Sequence, residues 1–286
     1  MASDNRFAVL IDADNVSVKY IKIILDEISK DGIATYKRIY GDWTNPSLIS
    51  WKSVLLDNSI NPIQQYSYTT GKNSTDSAMI IDAMDILYSG KVDGFCLVSS
   101  DSDFTRLAAR LRESGMTVIG MGESKTPNSF IAACNKFKYL DILSAADEAE
   151  AEEAAPKAEP AKKPAAQPKK TAQKAAAKKP KEEPKAEKEP KPAEPKKQQE
   201  KAIEEPRTSL RTIRRALRTI VRENSDEDNW IMVSQVGNLL DKRYTDFDVR
   251  NFGFSKLTPF LESLDMFEIK DMKKDSSSPQ KYVRLK

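Results

Sequence analysis

The sequence predicts an α/β protein: a doubly wound parallel sheet with helices on both faces, then a disordered tether and a small winged helix-turn-helix module. Three observations carry that expectation. Short apolar runs alternate with amphipathic helical stretches up to about residue 143, and alternating strands and helices close into a parallel sheet. Two of the apolar runs end in acids one residue apart, Asp12 with Asp14 and Asp101 with Asp103. Carboxylates so placed lie at the carboxyl ends of strands, where open α/β folds build their sites. The composition then changes abruptly at Ala145 and recovers near Thr208, dividing the 286 residues into 1–144, 145–206 and 207–286.

Phe7–Ile11 is an apolar run too short for a helix and reads as a buried strand. Ser17 opens a helical stretch to Lys30, with apolar residues at 18, 21, 24, 25 and 28 and Gly32 beyond its end. Thr35–Tyr40 is the next strand, leading into Gly41 and Asp42; Pro46 starts a helix to about Leu56, and Pro62–Tyr66 is a short strand. Ser74–Tyr88 is a strong helix with Asp76 in its first turn. Asp82 lies six residues further on, about two-thirds of a turn round and roughly 9 Å up the axis, so the two acids do not share one ion. Phe95–Ser99 is the central strand, ending in Asp101 and Asp103, and Phe104, Leu107, Ala108 and Leu111 mark the helix after it. Met116–Met121 is a further strand and Asn128–Phe137 a last helix.

Residues 145–206 hold ten of the chain's 15 prolines, with abundant Ala, Lys and Glu and neither glycine nor aromatics. Such a segment buries too little apolar surface to offset its ordering entropy; it is expected to be an extended, disordered tether. Order resumes at about Thr208. Leu210, Ile213, Leu217, Ile220 and Val221 form an apolar face, and Arg211, Arg214, Arg215, Arg218 and Arg222 a basic one. Short helices follow at Ser234–Leu240 and Phe254–Leu264, then alternating strands at Met266–Ile269 and Lys281–Leu285. Three helices and a terminal hairpin make a winged helix-turn-helix. Gly253, between two aromatics, reads equally as a tight backbone position or as an ordinary turn.

The net charge of +3 hides an uneven distribution: 1–144 carries 15 basic and 17 acidic residues, 145–206 carries 15 and 14, and 207–286 carries 16 and 12. Acid gathers where chemistry is expected and base where a partner docks. With no histidine in the chain, Ser-His-Asp and Cys-His catalysis and every His-containing zinc site are excluded. Cys96 and Cys134 each sit in an apolar segment and are expected in the core. No leader pattern and no apolar run of membrane-spanning length is present, so a cytoplasmic protein without membrane association is expected.

Carboxylates without His or Cys suit hard divalent cations, Mg²⁺ or Mn²⁺, which activate water and stabilise charge on a phosphodiester. A single acid at a strand end can simply cap the next helix; several converging on one sheet edge call for a cation.

Phe7–Asn15, Ser74–Asp85, Phe95–Phe104, and Gly115–Gly122 with Asn128–Phe137 resemble the NYN domain, a family that includes LabA-like proteins and belongs with the PIN-like ribonucleases. The resemblance covers nearly all of residues 5–143. It implies a metal-dependent endoribonuclease whose acids match Asp12, Asp76 and Asp101, with Asp103 beside them and Asn15 as a substrate or water contact. It also implies a fourth acid, for which only Asp42 offers itself. The segment from Trp230 to Gly237, Phe252–Leu257 and Phe267–Ile269 resemble the OST-HTH (LOTUS) domain, whose members bind RNA or a protein partner. RNA is therefore the expected ligand, and the arginines of 208–223 are the expected nucleic-acid contacts.

Two other readings stand beside this. Asp12-Ala-Asp14-Asn-Val16 fits the DxDx(T/V) opening of haloacid-dehalogenase-type phosphatases, with Asp12 as nucleophile and Asp14 as acid/base, but gives Asp76 no role. The other is a non-catalytic RNA-binding scaffold, against which the retention of all three principal acids argues.

Overall fold

The computed structural model describes residues 5–66, 74–154, 208–272 and 280–286. Its first part is a six-stranded sheet of order β3-β2-β1-β4-β5-β6, parallel throughout. The strands are β1 (Arg6–Asp12), β2 (Ile33–Gly41), β3 (Asn61–Gln64), β4 (Gly94–Val98), β5 (Thr117–Gly122) and β6 (Lys136–Tyr139). Between them run α1 (Ile21–Asp31), α2 (Trp51–Asp57), α3 (Ser74–Ser89), α4 (Thr105–Glu113) and α5 (Asn128–Ala133); α6 (Leu140–Ala154) follows β6.

β1 reads as a continuous apolar run because both of its faces are covered. Phe7, Val9 and Ile11 pack with α1, α2 and α6 on one side; Ala8 and Leu10 pack with α3, α4 and α5 on the other. Successive side chains of a strand point to opposite faces, and the two core clusters divide on that alternation. Cys96 and Cys134 are free and buried, and burial pushes the Cys134 thiol up to about 12.

The helix expected over Asn128–Phe137 ends instead at Ala133, and Lys136–Tyr139 forms a sixth strand. Lys-Phe-Lys-Tyr alternates, with Phe137 and Tyr139 turned into the core, and Asn135 exchanges hydrogen bonds with Val118 of β5, starting the pairing. Gly120 faces Phe137; a Cβ there would sit 2.6 Å from the ring, so this strand contact needs glycine. α6 begins at once, buries Leu140 and Leu143, and runs past the expected boundary at residue 144. The tether expected at 145–206 therefore begins as helix, and from residue 155 it lies outside the described residues.

The C-terminal part comprises α7 (Leu210–Asn224), β7 (Ile231–Met232), α8 (Val233–Arg243), α9 (Leu257–Ser263), β8 (Phe267–Met272) and β9 (Gln280–Leu285). The strands form an antiparallel sheet of order β7-β9-β8. Ile213, Leu217, Val236, Leu240, Phe260 and Val283 share one core. α9 starts three residues later than expected, because a 3-10 turn at Val249–Phe252 closes on Gly253, whose φ is +80°. That left-handed conformation suits glycine. Phe252 and Phe254 then close on the Phe260 ring at 5.2 and 5.6 Å. The described residues of both modules belong to one compact unit. No described helix is long and apolar enough to cross a membrane.

Candidate metal centre

The strand order reverses at the middle of the sheet: from β1 the chain crosses first to β2 and β3, later to β4, β5 and β6. The carboxyl ends of β1 and β4, side by side with Ile11 opposite Val98, therefore flank the crevice such sheets use for ligands. Asp12 closes β1. Ser99, Ser100 and Asp101 follow β4, and the first turn of α3 brings in Asp76.

Asp12 is fully buried. Its Oδ2 accepts from Asn15 Nδ2 at 2.8 Å and Ser99 Oγ at 2.7 Å, and its Oδ1 from the Asp14 N–H at 3.1 Å. Burial raises its carboxyl above the ordinary range, and these hydrogen bonds oppose the shift. Asp101 accepts the Asp103 N–H at 2.9 Å and so caps the 3-10 turn Ser102–Phe104, while its own N–H donates to Ser99 Oγ at 3.1 Å. Asp14 accepts from Thr75 Oγ1 at 2.9 Å.

Asp76, Asp101 and Asp103 each offer a carboxylate oxygen, and these oxygens lie within 4.8 Å of one another. Asp76 is buried, Asp101 half-buried and Asp103 exposed. The trio thus leads from the interior out to solvent, as an ion that keeps part of its water shell requires. Burial first, and then the charges of Asp12, Asp101, Asp103 and Asp14, push the Asp76 carboxyl up to about 6. No described Lys or Arg pairs with Asp12, Asp76 or Asp101. A donor set made only of carboxylates, one of them held back from ionisation by burial and by its acidic neighbours, fits a hard divalent ion.

Of the residues singled out in the sequence, Asp76, Asp101 and Asp103 come together. Asp12 and Asn15 stand next to them, hydrogen-bonded to each other. Asp42 lies beyond the end of β2, where its Oδ1 accepts from Thr44 N, Thr44 Oγ1 and Gln64 Nε2 at 3.1, 2.5 and 2.9 Å; it is not among the three acids that can share an ion. Asp82 is held by Arg38 and Tyr40, apart from the trio. Ser99 and Thr75 were not singled out, although hydroxyls beside acid-bearing strand and helix ends were their visible signal. Asp12, with no exposed surface, is poorly placed to meet a phosphate as the phosphatase reading needs.

On α7 the side chains of Arg211, Arg214, Arg215, Arg218 and Arg222 are exposed and lie along one side of the helix with Leu210 and Thr219. Arg214 Nη2 also donates to the Leu264 carbonyl at 3.0 Å, satisfying the end of α9. None of the five forms an ion pair with a described acid.

Residues 6–141 match the family model of the NYN domain, and residues 207–278 that of the OST-HTH/LOTUS domain. No curated protein matches the chain. Among solved structures, a protein of unknown function from Vibrio parahaemolyticus is similar at 18% identity, over 49% of this chain and 94% of that one, with a TM-score of 0.42.

Proposed function

We propose that this chain, which carries an NYN domain of the PIN-like nuclease superfamily followed by an OST-HTH/LOTUS domain, is a divalent-metal-dependent endoribonuclease with its own RNA-binding module. The observation that carries the reading is the trio Asp76, Asp101 and Asp103, with oxygens within 4.8 Å at the carboxyl edge of the sheet. These three would hold Mg²⁺ or Mn²⁺. Such an ion, when bound, supplies a Lewis acid for phosphodiester oxygens and makes water more acidic.

The chain's own residues do the rest. Asp12 adds buried negative charge behind the trio, held in place by Ser99 and Asn15. Thr75 ties the start of α3, and with it Asp76, to Asp14 beyond β1. Asp103, exposed at the rim, faces the side from which a strand of RNA approaches. We read the C-terminal module as a winged helix whose α7 arginines hold RNA phosphates, and the protein as cytoplasmic. The test is incubation of the purified full chain with single-stranded and structured RNA. Internal cleavage that needs added Mn²⁺ or Mg²⁺ and stops with EDTA supports the reading; cleavage that persists in EDTA, or none with either metal, overturns it.

A further inference from the structure

Among the described residues, β6 pairs with one strand, β5. An outer strand presents unpaired N–H and C=O groups to other chains unless something covers it. Here the Phe137 N–H donates to the Thr245 carbonyl of the OST-HTH module at 2.7 Å. Two residues on, the hydroxyl of buried Tyr139 donates to Asp246 Oδ2 at 3.2 Å. Asp246 is itself only 6% exposed and also accepts the Thr208 N–H at 3.2 Å and its hydroxyl. One carboxylate therefore fastens the entry of α7 and the edge of the NYN sheet together.

A second fastening lies beside it. The Arg250 guanidinium forks onto Glu27 of α1, Nη1 to Oε1 at 2.6 Å and Nη2 to Oε2 at 3.0 Å, while Asp248 braces the same guanidinium at 2.6 Å. Glu27 is 3% exposed and also pairs with Lys30 and Lys138 at 2.5 and 3.0 Å. Burial acts to raise its carboxyl, but hydrogen bonds from Arg250, Lys30 and Lys138 hold it well below the ordinary range. A planar fork on a desolvated carboxylate is a specific contact, since a mismatched partner leaves a buried charge unpaired.

We propose that the turn 244–251 of the OST-HTH module is a protein-docking element, and that its partner is the open sheet edge and α1 of this chain's own NYN domain. The module then has two working faces, this turn for protein and the arginine row of α7 for RNA; the second half rests on the function proposed above, the first does not. Docking covers β6 and Glu27 while all five arginines stay exposed.

The experiment reads docking without RNA, by amide exchange and light scattering on the dilute full chain and its Arg250→Glu variant, which sets like charges face to face. The Phe137 amide should exchange at least tenfold faster in the variant. Amides of Leu10, Leu97 and Leu217 should keep their protection, showing both modules folded. Should Arg250→Glu lose that core protection, Arg250→Met, which keeps the stem and drops the charge, takes its place. Phe137 exchange unchanged in a folded variant overturns the docking. A native mass of two chains, falling to one in the variant, overturns the assignment to the same chain and makes a second copy the occupant.

Discussion

Ser99 Oγ donates to Asp12 Oδ2 at 2.7 Å and accepts the Asp101 N–H at 3.1 Å, so one buried hydroxyl joins the acid that ends β1 to the acid that follows β4. Ser99→Ala leaves both partners without that bond, the Asp12 carboxylate at a fully buried position. The stability cost should be about 1–3 kcal/mol, the penalty of a buried polar group left unsatisfied. Because the hydroxyl also sets the distance between the two acids, RNA cleavage at saturating metal should fall by more than tenfold. Urea denaturation and single-turnover cleavage check the two parts; unchanged cleavage in a destabilised protein would make Ser99 a structural residue only.

Asp101→Asn separates the metal centre from the fold. Asparagine keeps a side-chain oxygen to cap the Asp103 N–H, so the thermal midpoint in EDTA should move little. The lost charge removes one of the ligands able to share the ion, and cleavage should disappear. RNA binding should persist or tighten, since a repulsive carboxylate has gone. Retention of full cleavage would remove Asp101 from the ligand set.

Asp76 predicts a pH dependence of the metal-free protein. Its folded carboxyl titrates at about 6, against an ordinary value of 3.8, so the folded state binds the proton more tightly than the unfolded one. The stability associated with that proton is complete below about pH 4 and is lost as pH rises through 6. Asp76→Asn should therefore leave stability unchanged near pH 4 and raise it near pH 8, by at most about 3 kcal/mol for a shift of this size. Mn²⁺ should reverse the order at pH 8, stabilising the native protein and not the variant. Melting curves in EDTA and in Mn²⁺ at both pH values decide; a gain equal at pH 4 and pH 8 would mean that ionisation of Asp76, disfavoured by burial first and then by the neighbouring acids, is not the cause.

The parallel sheet and the three acids that meet were legible because their signals are local. An apolar run buried on both faces ends at a carboxylate, and the helix period puts Asp76 in a first turn. β6 was not legible, since the Lys-Phe-Lys-Tyr alternation is four residues long and follows a helix after only Cys134 and Asn135; only pairing to β5 and packing on Gly120 decide it. The helix that runs past residue 144 was hidden for a related reason. Leu140 and Leu143 anchor α6 in the core, and the helix then continues into residues whose composition alone reads as tether. The Glu27–Arg250 pair spans 223 positions, and nothing in either local sequence points to the other. Asp42 offered itself only as the fourth acid that the resemblance implies, and its Oδ1 accepts from Thr44 and Gln64.

The arginine row gives the last prediction. Arg211, Arg215 and Arg218 are exposed and make no ion pair with a described acid, whereas Arg214 also holds the Leu264 carbonyl. Changing the first three to Gln and leaving Arg214 should thus preserve the fold, with an unchanged thermal midpoint. If each meets an RNA phosphate, the slope of log affinity against log salt should become shallower by about 0.7 per lost contact on a single strand, about 2 in all. Binding should weaken for every sequence alike, because phosphate contacts position the chain without reading bases. Titrations of the full chain with single-stranded RNA at several salt concentrations give the slope directly. An unchanged slope and affinity would move RNA away from α7 and leave the row as a solvated face.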